Sequence, residues 1–289
     1  MAGATGDLGR RIVTALLARG AEVTALVRHR SSTSNTLVGE RVNVVQVDFE
    51  REIELAGACE GAACVVSAMS GLREVIIDAQ KALVRAAATA RCPRFIPSDF
   101  ASDYLKQPVG WNRNFDLRRE FHDWLATEPI AATSILNGMF TDLLTGPAPF
   151  VLFPISRVLY WEDADQPLDF TTMDDTAAFT ADAALDPSTP RYLRIAGEVL
   201  TARSLAEVAS EVTGKRFKTL RGGSLHTLER LIGFVKTLSP SPGKVFPPWQ
   251  GMQYTHDMFA GCAKLHPLDN DRYPELRWTP VRQVLAARG

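Results

Sequence analysis

Three glycines spaced three residues apart, close to the N-terminus, constrain the fold of this chain more than any other feature. They lie in the segment GATGDLG at positions 3–9, and an apolar pattern at helical spacing follows directly. In a nucleotide-binding turn, Gly3 would allow the sharp bend, Gly6 would let backbone N–H groups approach phosphate oxygens, and Gly9 would let the helix pack closely on a strand. The spacing predicts such a turn, although a turn that only packs a helix onto a strand would show the same glycines.

Only Met1 and Ala2 precede this segment, whereas a turn of this kind follows a buried strand of about five residues. Without a full first strand, the strands beside it in the sheet would lose some of their buried interstrand hydrogen bonds. We therefore expect the first strand to be truncated here, and the natural protein to carry about five further apolar residues before Met1.

Strand-like and helix-like segments alternate through the first half of the chain. Strands are predicted over residues 22–28, 42–47, 63–68, 94–97 and 130–136, the first two of them buried, and helices over residues 8–17, 55–62, 75–90 and 115–127. This alternation argues for an α/β fold, a Rossmann-like doubly wound parallel sheet with helices on both faces. We assign residues 1–144 to this domain.

The second half has a less regular pattern and is predicted to form a smaller α/β substrate-binding part over residues 145–289, with residues 157–197 packing back onto the sheet. Strands are expected at 157–161 and 191–196, and helices at 174–185, 204–213, 225–238, 249–264 and from 280 onward. Asp174 and Asp175 are expected to cap the first of these helices. Ser204 and Glu207 form a capping-box pattern, and Gly214 ends that helix.

The composition argues against several classes of function. A net charge of −1 predicts no broad surface for nucleic acid. No apolar run reaches the roughly 18 residues that span a bilayer, and no leader is visible, so a cytoplasmic protein without membrane contact is expected. The cysteines show neither C-x-x-C pairs nor zinc-ligand spacing, which predicts reduced thiols and no metal site; they are Cys59, Cys64, Cys92 and Cys262.

The strand predicted at residues 22–28 is the second of the sheet when the truncated strand before Gly3 is counted as the first. It ends in Arg28, and Arg30 follows two residues later. At this position an acidic residue would bind the 2′-hydroxyl of NAD, whereas an arginine accommodates the 2′-phosphate of NADP. A charged hydrogen bond of about 1.5–3 kcal/mol would give a roughly tenfold to hundredfold preference for NADP. A solvated basic loop is the alternative.

The ends of the next strands carry further candidates. Asp48, or the backbone of Phe49, could accept from the adenine amino group, although an aspartate here could instead cap a turn. Small residues at 67–70 should lie beside ribose or phosphate, since ligands of such sheets cross the carboxyl ends of the strands.

These residues, together with RFIPSDF at 94–100 and SILNGMF at 134–140, resemble the atypical short-chain dehydrogenase/reductases of the NmrA-like and isoflavone reductase-like (phenylcoumaran benzylic ether reductase-like) group. The resemblance covers nearly the whole chain. It implies NADP(H) binding and reduction of a small, often aromatic, carbonyl or conjugated substrate. The group also includes dinucleotide-binding redox sensors that act on protein partners without turnover, which is the alternative hypothesis. The expected cofactor-binding residues are Gly3, Thr5, Gly6, Asp7, Leu8, Gly9, Arg28, Asp48, Phe49, Ser67, Ala68, Met69, Ser98, Asn137 and Met139.

The catalytic positions depart from the family pattern. The Tyr-x-x-x-Lys pair of ordinary short-chain reductases is absent, because Pro108 stands four residues after Tyr104. The resemblance implies a lysine in the helix after PSDF, and Arg118 occupies that position. An arginine can polarise a substrate oxygen but is a poor proton donor, since its pKa exceeds 12.

Two other residues are candidates for the proton donor. His122 shares a helix face with Arg118 at i+4, and Lys106 lies in the loop after PSDF. A structural histidine and a solvated lysine are the alternatives. Asp99 could face the nicotinamide or cap the following segment. An aromatic substrate could contact three tryptophans, namely Trp111, Trp161 and Trp249. These side chains could equally belong to the hydrophobic core.

Overall fold

The computed structural model describes residues 1–28, 42–146 and 150–288 of the chain. These residues form two compact units, each with its own hydrophobic core. The first unit comprises Met1–Phe100, Leu117–Ile135 and Thr176–Leu193, and the second comprises Ala101–Asp116, Leu136–Asp175 and Arg194–Gly289. No border between the units falls at residue 144, so the division of the chain into domains at that residue stays a prediction.

The strands, in chain order, are β1 Val23–Arg28, β2 Val42–Val47, β3 Val65–Val66, β4 Arg94–Ile96, β5 Ala131–Ala132, β6 Ser134–Leu136, β7 Met139–Phe140, β8 Val151–Leu152, β9 Arg157–Trp161, β10 Leu168–Thr171, β11 Tyr192–Arg194, β12 Glu198–Leu200 and β13 Lys218–Gly223. The α-helices are α1 Asp7–Ala18, α2 Glu52–Gly57, α3 Gln80–Thr89, α4 Arg113–Leu125, α5 Met173–Leu185, α6 Ala202–Thr213, α7 Leu225–Leu238, α8 Pro248–Phe259 and α9 Val281–Ala286.

The strands of the first unit run parallel. β1 pairs with β2, and β3, β4 and β5 form a second set in that order. Ala2 forms parallel bridges with both Leu26 and Ser67, and therefore lies between β1 and β3. Because the carboxyl ends of parallel strands meet at one edge, the glycine turn that follows Ala2 lies at the same edge as the ends of β3 and β4.

In the second unit, β10 pairs in parallel with β7 and antiparallel with β12. β9 likewise pairs in parallel with β13 and antiparallel with β8. Both sets therefore mix parallel and antiparallel pairs, unlike those of the first unit. β6 and β11, each of which begins in the first unit and ends in the second, pair in a further two-stranded sheet.

Several predicted elements match the structure at both ends, namely β2, β9 and α7. The predicted burial of β2 is wrong, because Val47 is its only buried residue. The helix predicted at 75–90 consists of a π-helical segment, Glu74–Ala79, followed by α3. The helix predicted at 55–62 begins earlier, as α2, and the one predicted at 249–264 ends earlier, as α8.

Two helix starts differ from the predicted ones because a threonine supplies the cap in each case. The backbone N–H of Asp175 donates to Thr172 Oγ1 over 3.0 Å, so Asp174 and Asp175 lie inside the first turn of α5. Thr201, rather than Ser204, is the N-cap of α6, and the reciprocal capping box joins Thr201 to Ser204. Gly214 ends α6 in the left-handed conformation, as predicted.

Within the described ranges, no helix is long and apolar enough to cross a membrane. All four cysteines are free thiols. Burial raises the pKa of Cys59 to about 11 and that of Cys64 to about 12, so both stay protonated and unreactive near neutral pH.

Candidate functional site

The first and third glycines of the turn are required by the close approach of backbone atoms. Gly3 has φ 76°, and a Cβ there would lie 2.5 Å from the carbonyl oxygen of Ala68. A Cβ on Gly9 would lie 2.0 Å from the carbonyl oxygen of Gly3. Gly3 thus has the positive φ of the sharp bend that the sequence predicts, and Gly9 allows close backbone packing at the start of the helix.

The second glycine leaves the start of a helix open. Gly6 is the N-cap of the 12-residue helix α1, and no side chain caps this end. Gly6 is exposed, and a Cβ there would meet only the Gly3 carbonyl oxygen, at 3.3 Å. Asp7 pairs with Arg11 along the helix over 3.0 Å, while Thr5 and Leu8 are half-buried beside the turn. Uncapped N–H groups at a helix N-terminus bind anionic oxygens well.

The candidate contacts of the adenosine half lie at the ends of β1 and β2. Arg28 is the exposed last residue of β1, and Arg30 lies outside the described residues. Asp48 Oδ1 accepts the backbone N–H of Glu50 over 3.0 Å, which realises the turn-capping alternative. Phe49 packs against the core of the first unit. A contact of Asp48 or Phe49 with adenine stays a prediction.

The ends of β3 and β4 are joined by side chains. Ser98 Oγ donates to the carbonyl oxygen of Met69 over 2.6 Å, and the Ser98 N–H donates to Gln80 Oε1 over 2.9 Å. Ala68 N donates to the carbonyl oxygen of Ala2 over 2.9 Å. Ser67 is fully buried, and its hydroxyl has no hydrogen-bond partner among the described residues. An orphaned buried hydroxyl beside the glycine turn is consistent with a ligand or water at this edge.

Gln80 is a site residue that the sequence analysis missed. It is buried, and besides accepting from Ser98 it donates through Nε2 to the carbonyl oxygen of Ile76 over 2.7 Å. It follows the π-helical segment directly, and such segments occur frequently at functional sites. The sequence feature that could have identified Gln80 is a single glutamine within an alanine-rich apolar helix pattern.

The segment after β4 is conformationally strained. The N–H of Asp99 donates to the Pro97 carbonyl oxygen over 2.9 Å, which closes a tight turn. Phe100 then has φ 27°, a region that bulky side chains rarely adopt. Strain of this kind persists only where surrounding contacts hold it, and it concentrates at functional sites.

A polar cluster, which we call the Asp99 cluster, holds this turn. It consists of the buried Asp99, His122 and Ser134 and the half-buried Arg118 and Arg191. Asp99 Oδ2 and His122 Nε2 are 2.7 Å apart, and both side chains are almost fully buried. Burial acts to raise the pKa of Asp99, but His122, the Arg118 guanidinium and the Ser134 hydroxyl outweigh it and hold that pKa below its ordinary value. Asp99 therefore stays ionised.

His122 uses both ring nitrogens inside this cluster. Arg191 Nη2 hydrogen-bonds to Nδ1, and the ring stacks on Tyr192 with centroids 6.1 Å apart. The Arg191 guanidinium can only donate, so Nδ1 is the acceptor and the ring proton lies on Nε2, directed at Asp99. The geometry favours the structural alternative for His122, and its role as a proton donor to a substrate stays a prediction.

Arg118 reaches the same turn through the backbone. Its Nε donates to the carbonyl oxygen of Asp99 over 3.0 Å, and the side chain is half-buried. The structure therefore brings Arg118 to the carboxyl end of β4, beside Ser98, where the sequence predicts the reacting centre.

The other predicted residues lie in the second unit. Asn137 is fully buried, and neither atom of its amide has a partner among the described residues. Its neighbour Gly138 has φ 67°, and a Cβ there would lie 2.6 Å from the carbonyl oxygen of Asp169. Met139 is buried in the core of this unit.

Lys106 is more constrained than a solvated loop lysine. Its Nζ lies 3.1 Å from Asp103 Oδ2 and donates to the carbonyl oxygen of Lys264 over 2.9 Å. Asp103 also accepts from Arg194 Nε over 3.1 Å. Lys106 thus belongs to an ion-pair network of the second unit.

The tryptophans support the core alternative. Trp161 and Trp249 belong to the core of the second unit, and Trp111 packs against it while its Nε1 donates to Asp257 over 2.6 Å. Across the described part of the chain, no group of three or more His, Cys, Asp or Glu side chains is placed to hold a metal ion.

The chain is similar to known proteins in both sequence and fold. A model of the NmrA-like family matches residues 1–242. Pinoresinol reductase 2 of Arabidopsis thaliana is 28% identical over 310 residues, covering 98% of this chain and 94% of that protein. A solved structure of AtPrR2 with NADP+ and (+)pinoresinol has a TM-score of 0.83 at 24% identity, covering 100% of this chain and 97% of the other. An isoflavone reductase structure has a TM-score of 0.82 at 20% identity, covering 99% and 97%. These likenesses confirm the predicted Rossmann-like α/β fold.

Proposed function

The chain belongs to the NmrA-like family, and we propose that it is an NADPH-dependent reductase of small aromatic substrates. The observation that carries the proposal is the glycine turn, in which Gly6 leaves the start of α1 uncapped. Pinoresinol reductase 2, similar over 98% of this chain, adds the reaction class. The chemistry is thus transfer of a hydride to an electrophilic carbon.

The residues at this sheet edge fit an NADP(H) molecule. The turn at residues 3–9 would hold the pyrophosphate against the N–H groups of α1. The exposed Arg28 would hold the 2′-phosphate, and the orphaned hydroxyl of Ser67 would gain a partner from the ligand. When bound, NADPH supplies the hydride.

Arg118 would bind and polarise the substrate oxygen or the departing benzylic oxygen. Its Nε is fixed on the Asp99 carbonyl oxygen, so the orientation of the guanidinium is set before a substrate arrives. Arginine does not release a proton near neutral pH, and the Nε2 proton of His122 is directed at Asp99. We propose that water supplies the proton to the product.

Turnover of aromatic compounds tests the proposal. Purified protein would be mixed with NADPH and, separately, with pinoresinol, an aromatic aldehyde and an aromatic enone, and the loss of NADPH absorbance recorded. We expect turnover of at least one compound, and Arg118→Met should lower its kcat about a hundredfold because a charge-stabilising donor is lost. Arg19→Met is the matched control, since Arg19 pairs with Asp182 in the same unit. NADPH binding without turnover of any compound would contradict the proposal.

The preference for NADPH has its own test. Arg28→Ala should reduce the ratio of NADPH to NADH affinity about tenfold, by removing a charged hydrogen bond to the 2′-phosphate. An unchanged ratio would show that another residue selects the cofactor.

One observation favours a second candidate, an NADP(H)-binding redox sensor that acts through a protein partner. In the Asp99 cluster, neither Arg118 nor His122 has a proton to give to a substrate. A sensor predicts clearly different affinities for NADP+ and NADPH, together with no turnover in the same panel. Equal affinities for the two forms would count against it.

A further inference from the structure

Arg191, just before β11, contacts two other members of the Asp99 cluster with its guanidinium. Nη1 donates to Ser134 Oγ over 2.7 Å, and Nη2 donates to Nδ1 of His122. The guanidinium carbon also lies 4.9 Å from the centre of the Tyr192 ring, on which His122 stacks. Because its planar donors are fixed in direction, an arginine in this position defines which nitrogen of the histidine is the acceptor.

The acceptor role of Nδ1 determines whether the other ring nitrogen of His122, Nε2, carries the proton. A neutral imidazole carries one proton, so an acceptor at Nδ1 requires a donor at Nε2. Nε2 lies 2.7 Å from Asp99 Oδ2 and 3.5 Å from Ser134 Oγ. The opposite tautomer would place two lone pairs face to face across the His122–Asp99 contact, where burial prevents water from intervening.

The Asp99 turn in turn sets the position of Arg118. The carboxylate is held by His122, the carbonyl oxygen of the same residue accepts from Arg118 Nε, and the next residue, Phe100, has the strained φ of 27°. Loss of the hold on the carboxylate would let the turn relax, and the carbonyl oxygen that fixes Arg118 would move with it.

We propose that Arg191 is a positioning residue, which selects the Nε2–H tautomer of His122 and thereby holds the Asp99 turn that orients Arg118. This role rests on the proposed reductase function for its kinetic consequence, but the tautomer itself does not depend on turnover. Arg191 lies 69 positions from His122 in the chain and acts through His122 and Asp99, without contact to a substrate.

Nuclear magnetic resonance tests the tautomer directly. In protein labelled with 15N-histidine, a long-range 1H–15N correlation spectrum separates the Nε2–H form, the Nδ1–H form and the imidazolium among the five histidines. Nuclear Overhauser contacts with the Tyr192 ring assign His122. We expect the Nε2–H form near neutral pH. An Nδ1–H form or an imidazolium in the wild-type protein would overturn the proposal without any variant.

Arg191→Met tests the cause, because it removes both donors and keeps an apolar stem. We expect loss of the pure Nε2–H signal and, with a substrate that the wild-type protein reduces, a fall of about tenfold in kcat with the KM for NADPH within about twofold. Arg19→Met, which breaks a comparable half-buried pair with Asp182, should keep both the signal and kcat. An unchanged His122 signal in Arg191→Met would contradict the proposal. Absence of turnover in the wild-type protein would instead contradict the proposed function.

Discussion

Each unit has a buried aspartate near a glycine that packs closely against a backbone oxygen. The two aspartates differ in how strongly their surroundings favour the ionised carboxylate. In the first unit, Asp99 follows β4, at the sheet edge where Gly3 packs against the Ala68 carbonyl oxygen. In the second unit, Asp169 lies in β10, and Gly138 packs against its carbonyl oxygen. Their exposed fractions are only 1% and 4%.

The pKa values of the two carboxyls move in opposite directions. Burial acts to raise both, but at Asp99 the contacts from His122, Arg118 and Ser134 outweigh it. At Asp169 burial prevails, although the N–H of Leu265 donates over 2.8 Å and Lys264 forms an ion pair with the carboxylate. Several donors around one carboxyl do not ensure that it is held ionised, because their combined stabilisation must exceed the cost of desolvation.

The two carboxyl groups therefore have different structural roles. An aspartate held ionised at the end of β4 can maintain a buried hydrogen-bond network around the cation Arg118. Asp169, whose charge is opposed by its surroundings, serves mainly to hold the segment at 264–265 through both carboxylate oxygens.

Glycine substitutions should have the largest effect and should be similar in the two units. Gly3→Ala and Gly138→Ala each place a Cβ within 2.6 Å of a backbone oxygen at positive φ. We expect each to lower the free energy of unfolding by about 3 kcal/mol, measured by denaturant titration. Gly57→Ala is the control, since a Cβ there meets nothing within 4 Å. A loss at only one of the two glycines would show that the two contacts are not equivalent.

Asp99→Asn should have the next largest effect. The asparagine keeps an acceptor for His122 Nε2–H but removes the charge that His122, Arg118 and Ser134 stabilise. We expect a loss of about 2 kcal/mol in unfolding free energy near neutral pH. Equal stability of variant and wild type would mean that the carboxylate contributes nothing as an ion.

Asp169→Asn should change stability less, by about 1 kcal/mol or below. The ion pair with Lys264 is lost, but the cost of burying a charge disappears with it. Lys264 is partly exposed and can be hydrated again. A loss larger than that of Asp99→Asn would reverse the order of the two sites.

The smallest expected effect is the pH dependence of the stability that each aspartate contributes. The sign of this dependence should differ between Asp99 and Asp169. Asp99 has a lowered pKa in the folded state, so its contribution is present above the unfolded value of about 3.9 and is lost as pH falls through the folded value. Asp169 has a raised pKa, so its contribution is present below about 3.9 and is lost as pH rises through the folded value. Thermal unfolding between acid and neutral pH, compared with each asparagine variant, should give slopes of opposite sign. Slopes of the same sign would refute the contrast.

Much of the backbone was predictable from the sequence in both units. The glycine spacing predicts the turn, because Gly3 and Gly9 are needed for backbone packing whatever the ligand. Runs such as those of β1 and β9 identify strands, because their apolar content matches a packed sheet. The cap of α6 was misplaced because Thr201 and Ser204 carry the same hydroxyl chemistry three residues apart.

The Asp99 cluster could not be predicted in the same way. The sequence places His122 on one face with Arg118, but its partners Asp99 and Arg191 lie 23 and 69 positions away. Only the fold brings these side chains together, and only their geometry fixes the tautomer of His122. The π-helical segment before Gln80 was missed for a related reason, since an alanine-rich apolar pattern does not distinguish it from an ordinary helix.

Binding of NADPH to Gly6→Ala tests whether the glycine turn at the start of α1 holds the cofactor. A Cβ on Gly6 meets only the Gly3 carbonyl oxygen, at 3.3 Å, and φ is −72°, so the fold should tolerate alanine at a cost of about 1 kcal/mol or less. The added methyl would stand where a phosphate oxygen approaches the N–H groups of α1. We predict that titration calorimetry gives a Kd for NADPH raised at least about tenfold, with Gly57→Ala unchanged. An unchanged Kd in a folded Gly6→Ala protein would show that the glycine turn does not hold the pyrophosphate of NADPH.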